Sequence, residues 1–170
     1  MNMEKVFNFT VDRDNLVIKI ERSFDAPLDL VWSAWTEAEL LDQWWGPQPY
    51  NAETKIMDFR EGGRWLYAMV GPQGPGMYNS KDFTTIVPKK GFTYRSYFCD
   101  ENGVAPAGMT ASTWVNSFAE TGGVTLVTNL VQVPSLEHLE KHIKMGFKEG
   151  YTVGLDQLEA LLARLRNKGK

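Results

Sequence analysis

The sequence predicts an α+β fold, a curved antiparallel sheet of about seven strands wrapped around a long C-terminal helix, with two short helices between the first and second strands. Three features of the chain predict it. Residues 15–24 alternate apolar and polar, and strand-like runs separated by turn residues continue from 53 to 133. Between these regions Leu28, Val31, Trp32 and Trp35 fall at helical spacing. From Leu136 to Leu165 the apolar residues recur at three- and four-residue steps.

Each element has its own local reason. In the run 15–24, Leu16, Ile18, Ile20 and Phe24 share one side, the pattern of a half-buried strand. Asp25-Ala26-Pro27 then starts a helix, because Asp can accept from free amides and Pro is tolerated in a first turn. Thr36 and Glu39 have the spacing of a capping box, opening a second short helix over 37–45 that Gly46-Pro47 ends. Strands are predicted at 53–59, 64–70, 82–87, 92–99, 110–118 and 124–133. Short turns such as Glu61-Gly62-Gly63 and Pro88-Lys89-Lys90-Gly91 imply antiparallel neighbours, since parallel strands need long crossovers. Residues 71–76 and 100–108 read as longer loops rich in Gly and Pro. Pro134-Ser135 introduces the last helix, predicted as one continuous rod of roughly eight turns.

Composition narrows the function classes. A chain of 170 residues fits one domain over 1–170, with enough core to need neither disulfide nor metal. The net charge is −3, and the one basic cluster, Arg164, Arg166, Lys168 and Lys170, lies where cations complement a helix C-terminus. No basic face is offered to nucleic acid, and no apolar run is long enough to insert in a membrane. Residues 1–10 lack the apolar core of a secretory signal, and Cys99 is the lone cysteine, so a reduced, cytoplasmic protein is expected. It is expected to be a monomer or homodimer. Six Trp, six Tyr and nine Phe are the unusual part. A chain this size either packs so many rings in its core or lines a cavity with them.

The rings fall on strand faces. Trp65, Tyr67 and Met69 share one face, Phe92, Tyr94 and Phe98 another, and Trp114 and Phe118 a third. Buried Tyr and Trp need partners for their polar tips, so a face carrying several suits a cavity better than a dry core. Gly146, Gly150 and Gly154 repeat at four-residue steps in the predicted last helix, each costing about 1 kcal/mol relative to Ala. Three explanations are available: close approach of a neighbouring backbone, room for a ligand beside Phe147 and Tyr151, or a break in the helix. The expected ligand-binding lining is completed by Trp35, Trp44, Met57, Tyr78 and Phe83, with the hydroxyls of Tyr67, Tyr78 and Tyr94 pointing inward.

Catalytic and metal motifs are sparse. His138 and His142 have a metal-compatible spacing, but Glu137, Glu140 and Lys141 beside them mark a solvated face and no third ligand is indicated. There is no Gly-x-Ser-x-Gly elbow, and the prolines of 71–76 stand where a phosphate loop would need amides. Cys99 on a strand reads as a small buried hydrophobe. No metal and no cofactor is expected, and no catalytic residue is assigned. Arg64 and Arg95 fall opposite the aromatic faces, hence outside.

Several local patterns coincide along the chain. They are Ile20-Glu21-Arg22-Ser23-Phe24-Asp25-Ala26-Pro27 followed by Val31-Trp32, Trp44-Trp45-Gly46-Pro47, Glu61-Gly62-Gly63-Arg64-Trp65, and Gly150-Tyr151 ahead of Leu155, Leu158 and Leu162. In this order they resemble the START-like (SRPBCC, helix-grip) superfamily over residues 14–166, and within it the branch named for its similarity to the activator of the heat-shock chaperone ATPase. Tyr151 stands where the family pattern usually has Trp, and the loop 100–108 looks longer than usual. The resemblance implies a cavity between sheet and helix. Members bind lipids, sterols, hormones or polyketides, and some catalyse cyclisation or aromatisation there. The expectation is therefore a binder of a small hydrophobic or aromatic molecule. The alternatives are a cyclase or aromatase-like enzyme using cavity hydroxyls and a buried carboxylate, or a stress-response module in contact with a chaperone.

Overall fold

The computed structural model describes residues 5–168; Lys170 of the basic tail lies outside the described residues. Eight strands form one antiparallel sheet in the order β1-β2-β8-β7-β6-β5-β4-β3. They are β1 (Phe7–Asp12), β2 (Val17–Phe24), β3 (Asn51–Met57), β4 (Arg64–Gly71), β5 (Gly74–Val87), β6 (Gly91–Cys99), β7 (Ser112–Thr121) and β8 (Val124–Gln132). Two short helices, α1 (Leu28–Thr36) and α2 (Ala38–Trp44), carry the chain between β2 and β3, which lie near opposite edges of the sheet. After β8 come α3 (Leu136–Lys144) and α4 (Phe147–Lys168). The α+β architecture read from the sequence is the one observed.

Four details differ from expectation. The first is β1, which pairs with β2 from Phe7↔Arg22 to Asp12↔Val17 and makes eight strands rather than seven. Its apolar residues Phe7, Phe9 and Val11 do alternate, so the signal is present in the sequence. The second is β5, which begins at Gly74 and takes in residues expected to be loop and connection. Pro72 and Gln73 form a two-residue turn between Gly71↔Gly74 partners, and Pro75 is tolerated in the first turns of pairing because it sits at the strand's start.

The third difference is the C-terminal helix, which is not continuous. It breaks at Met145-Gly146, where Gly146 has φ +84°, a left-handed conformation that stops a helix and favours glycine. The fourth concerns caps. Thr36 does not form the capping box; its hydroxyl donates back to Trp32 O at 2.8 Å. Nor does Asp25 cap α1, whose Leu28 N–H instead donates to Glu120 Oε1 at 2.8 Å, supplied from the β7–β8 hairpin.

Side chains hold α4 to the rest. Arg22 on β2 is 8% exposed, bonds Asp156 Oδ1 at 2.8 Å and Glu159 Oε2 at 3.2 Å, and lies over the rings of Phe7 and Phe24. Gln157 donates to Trp44 O at 3.0 Å and Gly46 O at 2.8 Å, satisfying carbonyls that α2 leaves free at its end. Gly154 and Gly150 face this same segment. A Cβ on Gly154 would meet Trp44 O at 3.5 Å, and one on Gly150 would meet Pro47 Cγ at 3.5 Å. Of the three explanations for the glycines, Gly146 is thus a break and the other two allow close approach. The space above Gly150 and Gly154 is filled by protein, not left for a ligand.

Candidate functional site

The apolar stripe of α4 changes character along its length. Leu155, Leu158, Leu161 and Leu162 are sealed in the core, whereas Phe147 and Tyr151 are only partly buried. Opposite these two rings the sheet does not close, and a cavity of about 420 Å³ remains. Trp45 and Tyr50 flank it from the chain after α2, and β4 contributes Tyr67 and Met69. From β5 come Gly76, Met77, Asn79 and Lys81; Phe98 and Trp114 complete it from β6 and β7. Tyr50, Met77 and Phe98 are exposed, so the mouth is apolar.

The register explains which side chains meet. Trp65 pairs with Lys81, and Lys81 pairs in turn with Ser96, so all three share the inner face. Tyr94 pairs with Trp114 on the same face, ring on ring at 5.8 Å. Lys81 is thus a lysine inside an aromatic layer, 2% exposed. Its Nζ lies 5.2 Å from the ring centres of Trp45, Tyr67 and Tyr94, and 5.9 Å from those of Trp65 and Trp114. It donates to Asn79 Oδ1 at 3.0 Å and to Ser96 Oγ at 2.9 Å. Burial pushes its ammonium down to about 7, because no water solvates the charge.

Three other polar tips of the layer are held by protein. Trp45 Nε1–H donates to the Tyr67 hydroxyl at 2.9 Å, and Trp65 Nε1–H donates to Thr54 Oγ1 at 2.9 Å. The Tyr151 hydroxyl donates to Asn129 Oδ1 at 2.6 Å, and Asn129 donates to Asn116 Oδ1 at 2.7 Å. Tyr151 therefore offers the cavity its ring and turns its oxygen to the sheet. Burial raises the pKa of Tyr67, Tyr94 and Tyr151 far above the ordinary phenol value, so these hydroxyls keep their protons.

Six of the expected residues meet at the cavity: Tyr67, Met69, Phe98, Trp114, Phe147 and Tyr151. Trp65, Tyr94 and Phe83 lie beneath it, buried in the ring layer. Trp35 and Trp44 are core residues packed on each other at 4.8 Å, and Met57 is partly buried against the same core. Gly154 packs on the end of α2 and Gly150 on the chain after it, as described above. Tyr78 alternates with Met77 and Asn79 and so occupies the outer face, a correction to its expected inward hydroxyl. Sequence reasoning missed Trp45, Tyr50, Gly76, Met77, Asn79 and Lys81. The signal that could have found Lys81 is its cross-strand position opposite Trp65, but that required β5 to be recognised upstream of Asp82.

A second trough, of about 630 Å³, lies alongside and shares Phe98 and Phe147 with the first. It separates the 106–110 loop from α3, and His138 and His142 line it with ring centres 4.6 Å apart. Both imidazoles are half-buried rather than on a solvated face, and burial lowers the pKa of each. Among the described residues no group of three or more His, Cys, Asp or Glu could hold a metal ion. Cys99 is 7% exposed and burial raises its thiol pKa, the behaviour of a small hydrophobe. On the outer face, exposed Arg95 and the Arg64 guanidinium, bonded to Tyr97 Oη at 2.9 Å, sit where alternation predicts. No helix among the described residues is long and apolar enough to cross a membrane.

Comparison with known proteins agrees with this architecture. A family model described as activator of Hsp90 ATPase homolog 1-like protein matches residues 25–163. The chain is similar to the crystal structure of protein Ms6760 from Mycobacterium smegmatis, with 29% identity, a TM-score of 0.83, and coverage of 95% of this chain and 99% of that one. It is also similar to the solution structure of a protein from Arthrobacter aurescens, at 27% identity, TM-score 0.85, covering 92% and 91%. A third, from Staphylococcus epidermidis, has 28% identity and a TM-score of 0.81, covering 91% and 94%. No curated relative matches the chain by sequence. With the matched segment running from the turn before α1 into the last turns of α4, and a START-like sheet gripping that helix, the chain belongs to the activator of Hsp90 ATPase homolog 1-like family.

Proposed function

We propose that this chain binds a small hydrophobic or aromatic molecule in the cavity between the sheet and the start of α4. The observation that carries the reading is the cavity itself. Its volume of about 420 Å³ falls in the range of small-molecule sites. Its lining combines rings that present flat apolar faces with the adaptable thioethers of Met69 and Met77. A dry core would have closed this space, as the Leu155–Leu162 half of the helix does.

Binding is favoured over cyclase-like catalysis by the chemistry of the wall. Among the described residues the wall carries no carboxylate and no imidazole, so the one lining group poised to exchange a proton is Lys81, and it has no second acid or base beside it for a cyclisation. The cavity's phenols hold their protons too tightly to exchange them. The test is a screen of apolar and aromatic compounds by thermal shift and Trp fluorescence, with Trp45 and Trp114 as reporters at the cavity. A ligand is expected to raise Tm and quench emission in the same concentration range. A broad lipophile screen in which neither signal moves would contradict the reading.

A further inference from the structure

Among the described residues, Lys81 is the one charged side chain on the cavity wall, and none around it carries the opposite charge. Two of its three N–H bonds go to neutral oxygens, on Asn79 and Ser96. Among the described residues no carboxylate reaches it: the neighbouring Asp82 points to the other face of the sheet, where Ser80, Tyr97 and Arg64 hold it. The titratable groups facing it are the phenols of Tyr67 from β4, Tyr94 from β6 and Tyr151 from α4; β7 and the chain after α2 present only Trp114 and Trp45. The rings favour a cation without neutralising it. The charged form of this amine therefore lacks a counterion, and it is disfavoured until an anion arrives.

Resting on the binding reading above, we propose that Lys81 anchors the carboxylate of an amphipathic organic acid, whose apolar body lies toward Met69, Met77, Phe98 and Phe147. The third N–H supplies the charge-assisted hydrogen bond. The apolar mouth accepts the body, and the aromatic layer excludes the water that would weaken the pair. An amine with a lowered pKa is also a nucleophile for carbonyl compounds. Imine formation, however, must protonate the departing hydroxyl, and the wall provides no acid for that step beyond phenols that hold their protons. Pairing with an anion requires no such partner.

The test compares 2-naphthoic acid with its neutral analogue 2-naphthalenemethanol by titration calorimetry on the wild type and Lys81→Met. The acid is expected to bind the wild type about tenfold or more tightly than the alcohol, and Lys81→Met is expected to abolish that preference while still binding the alcohol. A measurement needing no variant accompanies it. At pH 8 most of the free protein carries the neutral amine, so binding of the acid draws in about one proton, read from buffers of different ionisation enthalpy. Equal affinity for acid and alcohol, or acid binding without proton uptake, would overturn the anchor and leave the binding reading standing. Failure of both compounds and of the wider screen would overturn both. Cyanoborohydride trapping of 2-naphthaldehyde on Lys81, without a preference for the acid, would replace the ion pair by imine chemistry.

Discussion

Along α4, Leu155, Leu158, Leu161 and Leu162 are at most 2% exposed, while Phe147 and Tyr151, one to four turns earlier, border a cavity of about 420 Å³. The sealed half is aliphatic and carries the hydrophobic stabilisation, about 1.5–3 kcal/mol for each fully buried Leu. The open half buries polar groups instead: Lys81 at 2%, Asn116 at 1% and Asn129 at 1% exposure, all on the inner sheet face. A buried amide is nearly neutral when fully bonded, and a buried ammonium without a counterion opposes folding. The same helix and sheet therefore provide stability at one end and a destabilised, chemically specific site at the other, the arrangement expected when a site is built at the expense of packing.

That contrast can be broken from either side. Leu158→Ala, at a position 0% exposed, is expected to lower the unfolding free energy by about 2–5 kcal/mol in urea and to leave affinity for an aromatic acid unchanged. Lys81→Met should do the reverse, raising stability at pH 6 by about 1–4 kcal/mol while removing the acid preference. The pH dependence follows from the sign of the shift. Lys81 titrates near 7 in the folded protein against 10.5 when unfolded, so between these values the unfolded chain binds more protons. Wild-type stability should therefore gain a contribution as pH rises from 7 toward 10.5, and the Lys81→Met curve should lack it. Gly146→Ala is expected to cost about 1–2 kcal/mol because its φ of +84° is left-handed. Gly150→Ala, whose added Cβ would make an ordinary contact with Pro47, should gain up to about 1 kcal/mol of helix propensity. Thermal melts of the two variants would separate a break in the helix from a close approach.

The sealed half was legible in the sequence and the open half only partly so, for a physical reason. Leu155, Leu158 and Leu162 repeat at helical spacing because every inward position there is apolar. On β5 the inward positions 77, 79 and 81 are Met, Asn and Lys, and the outward ones are Tyr, Ser and Asp. Polarity on both faces erases the two-residue alternation, so the strand read as connection and its buried lysine went unseen. The rings were easier: residues two apart in a strand share a face, so Trp65 with Tyr67, and Tyr94 opposite Trp114, could be placed together from position alone. Which rings border space and which are packed beneath it depends on depth in the sheet, and composition carries no record of depth. Trp35 and Trp44 illustrate this, as large aromatics committed wholly to the core.

Methionines distribute themselves usefully between the regions, and their methyl resonances give the most direct test of the account. Met69 and Met77 line the cavity, Met109 and Met145 line the neighbouring trough, and Met57 packs against the core. Adding 2-naphthoic acid to protein labelled with ¹³C at the methionine methyls should shift Met69 and Met77 selectively, by ring current, with Met57, Met109 and Met145 unmoved. Shifts confined to Met109 and Met145, or no shift at saturating acid, would contradict a ligand site at the open end of α4.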